Sequence, residues 1–131
     1  MPHRVIYASR SLIDGWGPDL LAIARAAFRR NAALGVTGAL YFDRLRFFQL
    51  LEGPEGAVSE LMRAIREDGR HAGVQVLSQG WTPSRRFAGW SLRVLDGDAD
   101  PALRAAFPDP ATLGPEPAEA AERFVGALAA H

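Results

Sequence analysis

The stretch Val36-Thr-Gly-Ala-Leu-Tyr-Phe-Asp-Arg-Leu-Arg-Phe-Phe-Gln-Leu-Leu-Glu-Gly-Pro54 decides the fold. Its two halves, 36–42 and 46–52, are rich in aromatic and apolar residues, and the tight turn 43–45 separates them. That pattern predicts a β-hairpin. Pro54 then opens a helix, since proline suits a first turn whose N–H groups have no partner inside the helix. Apolar residues recur at Ala57, Val58, Leu61, Met62 and Ile65, the stripe of one buried helical face. The helix ends in the segment 67–70.

Upstream, residues 4–9 read as a short strand. The turn-rich stretch 14–18 leads into a first helix with the stripe Leu20, Ile23, Ala24, Ala27 and Phe28, stopped by Gly35. Downstream, strands are expected over 73–80 and 87–95, separated by 82–86. The order β-α-β-β-α-β-β predicts an α+β, ferredoxin-like sheet with one added strand. Right-handed crossovers place both helices on one face, with the first and third strands adjacent. The chain thus divides into 1–96, the unit of sheet and two helices, and 97–131, a C-terminal helical extension. In that extension 101–107 forms a short helix, 108–117 is Pro-rich, and 118–130 is an amphipathic helix with Ala121, Phe124, Val125 and Leu128 in its stripe. These helices are expected to cover the opposite sheet face, where Ile6, Ala8, Phe48 and Leu50 would otherwise form an exposed apolar patch. Their deletion should cause aggregation.

Composition narrows the functional classes. The 131 residues are 48% hydrophobic and 23% charged, with 15 acidic and 15 basic residues and a net charge of +0. All the basic residues are arginine, which reads as compositional bias. The balance argues against a nucleic-acid partner or an anionic membrane surface. Cysteine is absent, excluding disulfides, thiolate metal sites and thiol nucleophiles. His3, His71 and His131 are too scattered for a metal site. No signal peptide or spanning segment is read, so a cytoplasmic location is expected.

Strand alternation sends Val5, Tyr7 and Ser9 to one face, and Phe47, Gln49 and Leu51 share a face of the third strand. Asn31 returns to the inner stripe of the first helix, and Asp68 lies near the end of that of the second. Each has an ordinary explanation alone: a tyrosine with its hydroxyl at the surface, a helix-terminal asparagine, a strand-edge glutamine, a turn-forming aspartate. Together Tyr7, Asn31, Gln49 and Asp68 converge between helices and sheet. Their unpaired polar groups would cost about 1–3 kcal/mol each in a dry core. The pattern points to a polar-lined pocket and does not name its ligand. Trp81 and Trp90 read as sheet packing, and Arg85 and Arg86 as a surface turn.

The segments 6–9, 30–38 and 47–54, followed by 68–71 and 85–91, resemble the BLUF family, blue-light sensors using FAD, over about residues 3–95. The resemblance implies a noncovalently held flavin between the two helices, FAD in the family, with FMN or riboflavin also possible. It implies that Tyr7 is the photoactive tyrosine and Gln49 the switching glutamine. Asn31 contacts the ring's carbonyl edge, with Arg30 beside it, while Ile23 and Ile65 sandwich the ring. Asp68, Arg70 and His71 fall at its dimethylbenzene side, ribityl chain or phosphates. Trp90 and Leu92 are associated with the switch. Leu92 stands where the family commonly has methionine, which bears on the lit-state lifetime more than on flavin binding. Ala64 replaces a larger polar residue, implying a looser phosphate or ribityl end. The resemblance implies a photosensor, not an enzyme, that signals to a separate effector and forms a homo-oligomer. An acylphosphatase-like hydrolase, a flavin reductase and a structural assembly domain are the alternatives.

Overall fold

A computed structural model describes residues 2–13, 18–106 and 124–127. Eight elements follow one another: β1 (His3–Ser11), α1 (Pro18–Leu34), β2 (Thr37–Phe42), β3 (Arg46–Gly53), α2 (Glu55–Glu67), β4 (His71–Trp81), β5 (Arg93–Asp96) and α3 (Pro101–Ala106). The strands form one sheet in the order β4-β1-β3-β2-β5. Neighbours are antiparallel except β2 and β5, which run parallel. This is the expected split arrangement, with β3 between β1 and β2 and the extra strand at an edge.

Local chemistry sets the boundaries. Gly35 ends α1 in the left-handed region (φ 68°), and Val36 N–H reaches back to Asn31 O at 2.8 Å. The β2–β3 turn is built on Asp43, whose Oδ1 accepts from the N–H groups of Leu45 (2.9 Å) and Arg46 (3.1 Å). α2 starts after Pro54, with Glu55 in its first turn, where a negative charge suits the helix dipole.

The sheet separates two apolar layers. On the helix side, Val5, Tyr7, Leu51, Val58, Leu61 and Met62 pack together under α2, and Leu20, Leu40, Phe42, Phe47 and Leu92 under α1. On the far side, Ile6, Ala8, Tyr41, Phe48, Leu50 and Leu95 form one cluster with Leu103 of α3 and with Phe124, Val125 and Ala127. Residues 124–127 are helical, and Phe124 lies on Phe48 with ring centroids 5.5 Å apart. The described parts of the extension thus lie on the sheet face opposite α1 and α2, with Phe124 and Val125 of the expected stripe buried there; Ala121 and Leu128 of that stripe lie outside the described residues. Residues 14–17, Phe107 at the end of the expected short helix, 108–117, most of the last helix, and His131 lie outside the described residues.

Three expectations are corrected. The last strand is Arg93–Asp96 and not 87–95: residues 87–90 turn, with Trp90 N–H bonded to Phe87 O at 2.9 Å. Phe28, placed in the buried stripe of α1, is 53% exposed. It stands beside Val94 at the edge of a groove, where the sheet is too narrow to cover it. Trp81 and Trp90 are both exposed and do not pack in the sheet. Trp81, at the end of edge strand β4, meets the edge of His3, 5.3 Å between centroids.

Candidate functional site

The cleft between the helices and the sheet is lined by Tyr7, Ile23, Ala27, Arg30, Asn31, Leu40, Phe47, Gln49, Leu61, Ile65, Asp68, Arg70 and His71. All nine residues expected to touch a ligand are among them. Trp90 and Leu92 are not: Trp90 faces solvent, and Leu92 is packed under α1. The space in the cleft, open mouth included, is about 520 Å³.

At the floor, Tyr7 and Gln49 are register partners on β1 and β3, so their side chains meet on one face. The Tyr7 hydroxyl donates to Gln49 Oε1. That bond is buried, with Tyr7 3% and Gln49 4% exposed. Burial raises the Tyr7 pKa well above the ordinary phenol range; the nearby Asp68 charge adds to the rise and Arg30 opposes it. Tyr7 is thus held as a neutral donor. The β1–β4 pairing slips on both sides of it, between Ile6 and Tyr7 and between Ala8 and Arg10.

The walls come from the helices. Asn31, buried in the last turns of α1, donates from Nδ2 to Ser91 O at 2.7 Å. This ties the cleft to the segment before β5. Ile23 on α1 and Ile65 on α2 supply the apolar sides. Arg30 is exposed at the mouth, its Nε 3.4 Å from Ala26 O. Asp68 caps α2 and receives Arg70 N–H at 3.0 Å, the guanidinium lying 3.9 Å from the same oxygen. His71 is fixed from both sides, with Nδ1 2.7 Å from Ser9 Oγ and Nε2 2.6 Å from Ile65 O. A carbonyl only accepts, so Nε2 carries the proton and Nδ1 can accept from the serine.

The donor set fits a flavin. Apolar sides suit a flat aromatic ring. Gln49 and Asn31 offer amide groups to its polar edge, and Arg30 and Arg70 are cations near the opening for a phosphate-bearing tail. Among the described residues no cluster could hold a metal ion, and no helix is long and apolar enough to cross a membrane. Sequence reasoning did not assign Ala27, Leu40, Phe47 and Leu61 to the site. Leu40 was legible as the residue opposite Gln49 on β2.

The site is therefore a cleft with a β-sheet floor bearing a buried Tyr–Gln pair, roofed by two helices. The family described as sensors of blue-light using FAD matches residues 3–93, and the chain belongs to it. Residues 3–93 are thus a blue-light sensor domain of the flavin-using kind. The chain is 42% identical over 106 residues to the blue light- and temperature-regulated antirepressor BluF of Escherichia coli (strain K12), covering 79% of this chain and 26% of that protein. It is 43% identical over 75 residues to photoactivated adenylate cyclase subunit beta of Euglena longa, covering 56% of this chain and 9% of that one. The chain therefore spans about a quarter or less of these relatives. The dark-state structure of the BLUF protein BlrB superposes with a TM-score of 0.77 at 30% identity, over 98% of this chain and 96% of that one. The photo-activated state of BlsA shares the fold, with a TM-score of 0.78 at 24% identity.

Proposed function

We propose that this chain holds FAD in the cleft and reports blue light through the Tyr7–Gln49 pair to a separate partner protein. The buried, in-register hydrogen bond between these two side chains carries the reading. Ile23 and Ile65 hold the ring from the two helices, and Asn31 and Arg30 bind its polar edge. Asp68, Arg70 and His71 bind the far ring edge and the tail. Flavin, when bound, would supply the blue-light chromophore and an electron acceptor. Tyr7 would be the oxidisable side chain beside it, and its phenolic proton already has a path to Gln49 Oε1 along the existing bond. The Gln49 amide, with one donor and one acceptor end, can turn about its side chain. A donor then stands where an acceptor stood.

The output leaves through the other side of β3. Phe48, next to Gln49 but on the opposite face of the strand, packs against Phe124, so the C-terminal layer feels the strand that the switch sits on. The test is spectroscopic. The purified protein should be yellow, its flavin band should shift to the red under blue light, and the shift should reverse in darkness. Tyr7→Phe should bind flavin and show no shift. A Tyr7→Phe variant that shifts like the parent refutes the mechanism, and a protein that takes up no flavin refutes the site.

A further inference from the structure

On the back face of β3, two residues past Leu50, stands a carboxylate outside the cleft. Glu52 has 0% exposure. It accepts from two successive backbone groups of the β4–β5 connection: Arg86 N–H to Oε2 at 2.6 Å and Phe87 N–H to Oε1 at 2.8 Å. A buried carboxylate is costly unless its oxygens are satisfied, and here both are.

The connection runs on to the cleft. Arg85 Nη1 reaches the hydroxyl of Thr37, the register partner of Glu52, at 3.3 Å. Gly38 N–H donates to Trp90 O at 3.1 Å. At Gly38 the strands are so close that a Cβ would lie 2.0 Å from Leu50 O. The next carbonyl, Ser91 O, is the one held by Asn31. One end of this segment is therefore fixed to the end of β3 and the other to a cleft side chain.

We infer that Glu52 is a positioning residue for the light response. Its clamp makes residues 86–92 one piece with the strand that carries Gln49. A change at Gln49 then arrives at Ser91 and Leu92 instead of being absorbed by a loose loop. The inference rests on the photosensor reading above.

The experiment uses the flavin-loaded full chain and Glu52→Gln, which keeps side-chain size. The amide offers one oxygen to one N–H and turns its own N–H₂ toward the other, so the clamp loses a bond. E52Q should keep the flavin band and the full red shift. In the dark, Arg86 and Phe87 amides should exchange at least about tenfold faster, the loss of a charge-assisted hydrogen bond. The light-minus-dark difference in hydrogen exchange over 86–96, present in the parent, should disappear. Glu52→Asp, which keeps the charge but withdraws it by one methylene, should lose part of that difference and serves if E52Q does not fold.

Parental exchange at Arg86 and Phe87 in the variants overturns the clamp. A parental light-minus-dark difference despite faster exchange reduces Glu52 to a purely structural role and overturns the inference. A parent that red-shifts with no exchange change over 86–96 overturns it too, leaving the photosensor reading intact. A parent with no red shift refutes that reading, and the inference falls with it.

Discussion

Between pH 9 and 12 only Tyr7 and Tyr41 among the side chains of this protein change charge, because the sequence contains no lysine and no cysteine and its only tyrosines are these two. Both are buried, at 3% and 0% exposure. Both have pKa values pushed well above the ordinary phenol range. At Tyr7 burial is the main cause, followed by the Asp68 charge. At Tyr41 burial is followed by the hydrogen bond its hydroxyl donates to Asp43 Oδ2 at 2.7 Å. A folded-state pKa above the unfolded value means stability is fully present below about pH 10 and lost as pH rises beyond it. In that range the unfolded chain releases two protons that the folded chain keeps. Each tyrosine then removes about 1.4 kcal/mol of stability per pH unit. At pH 11 the loss from the pair is about 2.8 kcal/mol relative to pH 8, a large share of the roughly 5–15 kcal/mol typical of a domain.

Urea unfolding followed by far-UV circular dichroism at stepped pH measures this slope, with tyrosinate absorbance reporting ionisation directly. Tyr7→Phe and Tyr41→Phe should each halve the slope between pH 10 and 12, and the double variant should flatten it. Comparing variants cancels any other group titrating there, the cofactor included. A parent slope equal to that of the double variant, or tyrosinate forming near pH 10 in folded protein, would refute the reasoning.

Two further substitutions test the packing of the sheet. Phe124→Ala removes a fully buried ring from the face of Phe48 and should cost about 3–5 kcal/mol in denaturant unfolding; a loss under about 1 kcal/mol would mean that the extension does not pack on the sheet. Gly38→Ala forces a methyl group to within 2.0 Å of Leu50 O, so the β2–β3 pair must part. We expect a loss of about 2 kcal/mol or more, and an unchanged urea midpoint would show that the strands are not so close.

The sequence made the order of elements readable because each carries its own period and its own stop, such as Gly35 after α1. The convergence of Tyr7, Asn31 and Gln49 was legible for the same reason: alternation on strands and the 3.6-residue turn of a helix fix which way a side chain points. What could not be read depended on widths and distances between elements. Phe28 has the right helical phase for burial, but the sheet ends before reaching it. Residues 87–92 have the composition of a strand, yet Glu52 takes the N–H groups of Arg86 and Phe87, and the chain turns instead. Nothing local to Glu52 marks it as the holder of a segment over thirty residues away. Asp43 is similar: its turn is legible, whereas its bonds to Tyr41 and to Arg46 Nε at 2.9 Å need the hairpin folded.

The far-side cluster has a practical meaning for anyone who would splice this photosensor onto another protein. Leu103, Phe124, Val125 and Ala127 are part of the same apolar layer as Ile6, Phe48 and Leu50. A fusion joint placed just after β5 would strip that layer and hand the new partner a sticky surface. A chimera should therefore either retain the chain through residue 127 or bring an apolar helix of its own to lie in the same place. In the second design the grafted helix would rest directly on Phe48, one peptide unit from Gln49.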